Sequence, residues 1–236
     1  MKAIILGGGR GERLRPLTDD RPKPMLDIWG KPLLEHLLHW LKRYGLSEAI
    51  LCLGYRHEQV RRYFGDGDKW GMALSYSIEE EPLGTAGAVK RLEGVLDEDF
   101  LIVYGDLYID MDLQALLKFH ASHPHAATLV VRPSEHPYDS DLAVLDKDNR
   151  VTALPGKPKP GQDFENLACA AVWVLRRAIF QHIPEKGPSD FGRDIFPRML
   201  KNHVPIMGYR TSELLFDIGT GERYREINLQ KPKFDL

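Results

Sequence analysis

Cysteine is scarce: Cys52 and Cys169 are the only two among 236 residues. They stand far apart and in no metal-type spacing, which excludes a disulfide-stapled scaffold and leaves two buried, reduced thiols as the expectation. Long apolar runs are missing too. No stretch approaches the ~18 apolar residues that a membrane span requires, and the first residues enter a strand pattern rather than a secretory leader. A cytoplasmic protein with no membrane partner is expected. Neither sign of charge dominates, since 32 Lys and Arg against 34 Asp and Glu leave a net charge of -2. That balance gives no electrostatic case for a nucleic-acid partner. Internal repeats, linkers and low-complexity tracts are absent. With 43% apolar residues in a chain of this length, one domain around one sizeable core is the expectation.

What is present begins with MKAIILGGGRGERLRPLT. Ala3 to Leu6 are apolar and partly β-branched, too few for a stable helix, and they stop at a glycine cluster, the pattern of a buried strand feeding a loop. Gly7, Gly8, Gly9 and Gly11 clear side chains from a stretch where a ligand could meet main-chain N–H groups. Arg10, Arg13 and Arg15 add donors suited to phosphate oxygens. The loop points to an anion. It is neither of the common phosphate loops: GxGxxG fails because Glu12 or Leu14 stands where the third glycine belongs, and no glycine here precedes a Gly-Lys pair at P-loop spacing. For these glycines alone, a plain strand-to-helix turn with solvated arginines is the competing reading.

Strand and helix patterns then alternate. Residues 31–45 place Leu33, Leu34, Leu37, Leu38 and Leu41 on one helical face and stop at Gly45; Ala49 to Leu53 reads as a strand, 57–65 as a short helix and 74–79 as a strand. A helix over 85–96 and a buried strand over 100–106, ending in Gly-Asp, follow. After a helix from Leu113 to His120 and a strand over 127–132, residues 136–168 are short strands broken by Asp, Asn, Gly and Pro, an antiparallel excursion. A buried strand over 167–175, a helix from Phe191 to Leu200, strands over 205–210 and 214–218, and a closing helix from Glu222 to Leu229 complete the pattern. Apolar, non-alternating strands separated by helices predict an α/β fold, a Rossmann-like and mostly parallel sheet sandwiched by helices. Ligands of such sheets bind outside the carboxyl ends of the strands, where the glycine loop and Asp106 fall.

Taken together, GGGRGERLRPLT, RPKPM, FGDGDKWGMALSYSIEEEPLGTAGAV, YGD, GKP and FDIGT resemble, in order and spacing, the sugar-1-phosphate nucleotidyltransferases. HPYDSDLAVLD, KPKP, NLACAAVWVL and DFGRDIFPRML are most similar to short bacterial guanylyltransferases acting on heptose or mannose 1-phosphate. The resemblance implies a single cytoplasmic catalytic domain over 1–236 that joins an NTP to a sugar 1-phosphate with Mg²⁺ and releases pyrophosphate. Such relatives often pair, which leaves a homodimer open. Longer relatives carry a C-terminal repeat domain; about 15 residues after the last motif cannot build one, so no second activity is expected.

The resemblance also assigns residues. Leu6, Gly8, Gly9 and Gly11 wrap the nucleotide, Arg13 stabilises the leaving pyrophosphate, and Lys23 reaches the α-phosphate, where charge changes during attack. Asp106 and Asp217 suit one Mg²⁺, which prefers few protein oxygens and completes its shell with phosphates and water. Asp110 and Asp112 lie near enough to compete, although Asp112 reads better as the cap of the helix from Leu113. Lys157 matches the family lysine that meets the sugar phosphate. The family's preceding Glu is replaced by Gly156 and an expected Asn by Cys169, so Asp139, Ser140, Asp141 and Glu165 become the alternative hydroxyl-binding residues, with Lys159 able to substitute for Lys157. The base-recognition segment is EEEPLGT, with Glu79, Glu81, Gly84 and Thr85 as its matches. Guanine offers two adjacent donors to a carboxylate, whereas uracil and thymine offer one donor between two carbonyls, so an acidic residue there favours GTP.

Two clusters read as structural. His120, His123 and His125 lack carboxylate or cysteine support and are expected at the surface rather than on zinc. Tyr63, Phe64 and Trp70 are expected to pack rather than stack on a base. Open alternatives are a uridylyl- or thymidylyltransferase on another sugar and a catalytically silent NDP-sugar-binding paralogue, although Arg13, Lys23, Asp106 and Asp217 are all present. A nicotinamide oxidoreductase is disfavoured by the failed glycine spacing.

Overall fold

A computed structural model of the chain describes residues 1–96 and 98–230. In chain order the elements are β1 (Lys2–Gly7), β2 (Asp27–Ile28), β3 (Lys31–Pro32), α1 (Leu33–Arg43), β4 (Glu48–Leu53), α2 (His57–Phe64), β5 (Ala73–Ile78), α3 (Gly84–Lys90), β6 (Asp99–Tyr104) and β7 (Leu107–Asp110). Next come α4 (Leu113–Ala121), β8 (Ala127–Arg132), β9 (Leu142–Leu145), β10 (Val151–Gly156), β11 (Ala168–Arg176), α5 (Phe196–Lys201), β12 (Met207–Arg210), β13 (Leu214–Asp217) and α6 (Gly221–Leu229). This is the expected α/β class, a mostly parallel sheet with helices on its faces. Two compact units are formed: one from Lys2–Pro82, Val103–Met111 and the chain from Leu214, the other from Leu83–Ile102 and Asp112–Glu213. Among the described residues no helix is long and apolar enough to cross a membrane.

In the first unit β1 pairs with β4 and β4 with β5, both in parallel, with Ile4 opposite Ile50 and Leu51 opposite Tyr76. Ala3, Ile4 and Ile5 are buried, as are all residues of β4 after Glu48, because a parallel sheet covered on both faces has no wet side on which polar residues could alternate. Leu33, Leu34, Leu37, Leu38 and Leu41 of α1 are fully buried, and the Trp40 indole N–H donates to the Met111 carbonyl at 2.9 Å. That bond satisfies the polar end of a buried ring. A smaller apolar cluster of Ile28, Leu33, Tyr108, Phe216, Ile218 and Ile227 packs β7, β13 and α6 together. Phe64 and Trp70 are buried with ring centres 4.8 Å apart and Tyr63 stands against both, the packing role expected of them.

The second unit holds the antiparallel excursion: β9 pairs with β10, and β11 with β8, all antiparallel, while β12 adds to β8 in parallel. Two helices differ from the sequence pattern. The helix expected over 85–96 stops at Lys90 and tightens into turns in which Leu92, Glu93 and Val95 donate three residues back. The helix expected from Phe191 opens as a wide π-type turn over Phe191–Ile195, and α5 begins only at Phe196. Pro197 has no N–H to extend regular bonding backwards, so the first turn widens. The histidines also depart from expectation. His120 is 1% exposed, its Nδ1 2.7 Å from the Thr128 hydroxyl, so it belongs to the core and not to the surface. His123 is half-buried and shares that hydroxyl at 3.0 Å.

Candidate active site

The glycine loop leaves β1 at Gly7 and reaches Gly11 in the left-handed region, φ 67°, before a single turn over Glu12–Leu14. Leu14 is fully buried and anchors that turn, which leaves Arg13 beside it to face the opening. The Thr18 hydroxyl donates to the Gly11 carbonyl at 2.8 Å, and the Tyr55 N–H donates to the Gly8 carbonyl at 3.3 Å. These bonds hold the loop from both sides. An open cleft of about 400 Å³ is lined by Arg10, Gly11, Glu12, Arg13 and Lys23. Three of its five lining residues are cationic, a donor set for a polyanion.

Lys23 enters from a turn opened by Pro22 and anchored by buried Pro24. Its ammonium lies 2.8 Å from Asp106 Oδ2, with the two side chains 18% and 23% exposed. Asp106 follows β6, and the antiparallel pairing of β7 with β13 sets Asp217 opposite Leu107, while the Ile218 N–H donates to the Asp106 carbonyl at 2.9 Å. Register alone thus brings two distant aspartates side by side. Burial, and next the negative charge of Asp106, hold the Asp217 carboxyl above the usual carboxylate range against the pull of Arg223, Lys23 and Arg13. Gly219 lets these groups converge. A carbon added there would stand 3.0 Å from Asp217 Oδ1 and 3.3 Å from an Arg13 guanidinium nitrogen, so a side chain would have to push these groups aside.

Arg13, Lys23, Asp106 and Asp217 are therefore brought together in the first unit. Glu79 joins the loop: a carbon added at Gly8 would lie 3.1 Å from Glu79 Oε1, so this carboxylate rests over the loop backbone. Glu81 is exposed. The Leu6 carbonyl accepts from the Gly105 N–H at 2.8 Å, and Gly9 faces open space. Asp110 is turned to the Arg43 guanidinium at 3.0 Å, and Asp112 caps α4 by accepting from the Ala115 N–H at 3.1 Å.

The remaining candidates belong to the second unit. Gly84 has φ 71°, and a side chain there would strike the Ser189 carbonyl 2.4 Å away. The Thr85 hydroxyl donates to Asp190 Oδ2 at 2.7 Å and accepts from the Phe191 N–H at 3.0 Å, so it is committed to the fold. Lys157 and Asp139 meet as an exposed ion pair at 2.6 Å. Glu165 is held by Arg210 at 2.9 Å, and Ser140 Oγ lies 2.7 Å from Ser134 Oγ. Asp141 is exposed, its carbonyl accepting from the Cys169 N–H at 2.8 Å, and Lys159 is exposed as well. Burial and the Asp141 charge push the Cys169 thiol up to about 12, which keeps it protonated. Sequence reasoning missed Arg223 and Arg210. An arginine inside a helix pattern reads as solvated charge, and only the fold shows that Arg223 is buried and 2.6 Å from Asp217 Oδ2.

The fold and this convergence of cations, bare backbone and paired carboxylates define a phosphate-handling α/β protein. The chain belongs to the family described as Nucleotidyl transferase, which it matches over residues 2–233, and within it to the sugar-1-phosphate nucleotidyltransferases. It is 33% identical to the D-glycero-alpha-D-manno-heptose 1-phosphate guanylyltransferase of Aneurinibacillus thermoaerophilus, over 96% of each chain. It is 35% identical over 94% of its length to the mannose-1-phosphate guanylyltransferase of Mycobacterium tuberculosis, of which it spans 62%. In three dimensions it matches a putative glucose-1-phosphate thymidylyltransferase from Bacillus anthracis, solved in complex with a sucrose, with a TM-score of 0.85 and 22% identity over all of this chain and 97% of that one.

Proposed function

We propose that the chain transfers a guanylyl group from GTP to a heptose or mannose 1-phosphate in the cytoplasm, forming a GDP-sugar and pyrophosphate. The carrying observation is the convergence of Arg13, Lys23, Asp106 and Asp217 on the glycine-loop cleft. A sugar-phosphate oxygen attacks the α-phosphorus, a new P–O bond forms, and the bond to the bridging oxygen breaks as pyrophosphate leaves in line. Two anions must meet against their repulsion. Lys23 neutralises the α-phosphate as charge shifts there, Arg13 takes up charge on the leaving pyrophosphate, and the N–H groups from Gly8 to Gly11 hold the remaining phosphate oxygens.

Asp106 and Asp217 fit Mg²⁺: they are hard oxygen donors set side by side by strand register, both reachable by solvent, and Asp217 is destabilised as an anion by burial and by its neighbour. Mg²⁺ needs few protein oxygens and completes its shell with phosphate and water ligands. Bound there, Mg²⁺ would supply charge neutralisation between the reacting phosphates. Lys157 is the residue we assign to the acceptor phosphate, with Asp139, Asp141 and Glu165 for its hydroxyls.

Guanine specificity is assigned to Glu79, the half-buried one of the three glutamates, whose carboxylate rests over the loop. The two guanylyltransferase relatives support the same reading. A panel of four NTPs against mannose, glucose and heptose 1-phosphates, read by pyrophosphate release, tests it. GTP should lead by at least about tenfold, or about 1.4 kcal/mol of discrimination. An equal lead for UTP or dTTP would overturn the base assignment, and nucleotide binding without turnover across the panel would favour the silent paralogue.

A further inference from the structure

Among the described residues Arg223 is the one buried arginine, and the chemistry just described makes no use of it. It lies in the first turn of α6, where Thr220 caps the helix by accepting from its N–H at 3.3 Å. Its side chain is 10% exposed, and Nη1 donates to Asp217 Oδ2 at 2.6 Å. A carbon added at Gly219 would lie 3.0 Å from the other carboxylate oxygen, Oδ1, and 3.1 Å from Oδ2, and the carboxylate as a whole stays 45% exposed. The neighbouring aspartate is treated alike: Lys23 holds Asp106 at its own Oδ2. Each carboxylate thus has its Oδ2 bound by a cation of the chain.

We infer that Arg223 is a positioning residue that fixes the rotamer of Asp217 by occupying Oδ2, so that Asp217 offers a single oxygen, Oδ1, to the divalent cation. The inference rests on the assignment of Asp217 to Mg²⁺. A short charge-assisted bond from a buried guanidinium restricts the carboxylate more than packing alone, because both the distance and the plane of approach are set. A small octahedral ion that keeps several waters needs few, well-aimed protein oxygens rather than a chelating pair. Orientation of a metal-binding group by a neighbouring hydrogen bond commonly changes metal affinity by ~10-fold or more.

The test compares Arg223→Gln and Arg223→Lys with the parent chain. Two quantities are read: the half-saturating Mg²⁺ concentration of pyrophosphate release, and the dissociation constant of the Mn²⁺ complex of whichever common NTP the parent uses best, from water-proton relaxation. Arg223→Gln should raise both at least about fivefold and Arg223→Lys at least about twofold, with KM for the sugar 1-phosphate unchanged. Smaller shifts, or tighter metal binding, would overturn the inference; should one variant not fold by circular dichroism, the other decides. Asp217→Asn separates the two levels. If it leaves the Mg²⁺ dependence unchanged, the metal assignment itself fails. If it weakens binding while the Arg223 variants do not, only the role of Arg223 falls.

Discussion

Mild acid should loosen the second unit through His120. This side chain, near the C-terminal end of α4, is 1% exposed and bonded to Thr128 of β8. Its protonation follows from its neighbours. The His125 N–H donates to His123 Nδ1, so the His123 proton sits on Nε2 and is donated to the Thr128 hydroxyl, which in turn donates to His120 Nδ1. His120 is then neutral, its remaining proton on Nε2 facing Asp99 Oδ1 at 3.9 Å. Protonating Nδ1 would break the bond from Thr128 and place a second cation beside Arg176, whose Nε lies 3.5 Å from the same Asp99 oxygen.

Burial, followed by the charges of Arg176 and His123, holds His120 down to about 3. The unfolded chain takes up that proton near the ordinary value of about 6.5. Between the two values the unfolded state binds more protons, so stability is full above about 6.5 and is lost as pH falls. At about pH 5 the gap already covered is about 1.5 units, which at about 1.4 kcal/mol per unit is about 2 kcal/mol. Urea unfolding at about pH 7 and about pH 5 should show the parent chain losing about 2 kcal/mol more than His120→Gln, whatever the variant's own stability. Equal losses would refute the reasoning.

Three further outcomes are expected. Lys23→Ala and Asp106→Asn should each lower turnover by at least about a hundredfold in a pyrophosphate-release assay while circular dichroism stays that of the parent, since one transition-state charge contact commonly contributes that much. Adding Asp217→Asn to Asp106→Asn should cost little more than either alone, because two ligands of one ion act as a unit; multiplied losses would place the two carboxylates in separate roles. Gly84→Ala should destabilise the chain by at least about 2 kcal/mol in urea unfolding, since φ 71° and the Ser189 carbonyl at 2.4 Å both exclude a side chain.

Much of the fold was legible in the order of residues because it depends on local periodicity. The unbroken apolar run of β1, the leucine face of α1 and the apolar stretch of β4 each carry their own period, and the elements formed within one or two residues of expectation. The same holds for the glycine loop and for Asp112, whose capping role depends only on residues three places on. The helix from Phe191 was misread where two local rules compete, helical periodicity against the missing N–H of Pro197. His120 was misread because a histidine beside Ser, His and Pro gives no sign of its depth, which is set by the packing of α4 against β8.

Long-range register decided the rest. Asp106 and Asp217 stand 111 positions apart in the chain, and no periodicity relates them; the pairing of β7 with β13 does. That β7 forms at all, directly after Gly-Asp, depends on having β13 as its partner rather than on the preference of Leu107–Asp110. Among three consecutive glutamates, the sequence could not choose which meets the loop, and the path of the chain after β5 singled out Glu79. Arg223 became visible only in three dimensions. The amino-acid order determined which charges this protein carries; tertiary pairing decided which of them face one another, because a few ångströms separate an ion pair from two solvated side chains.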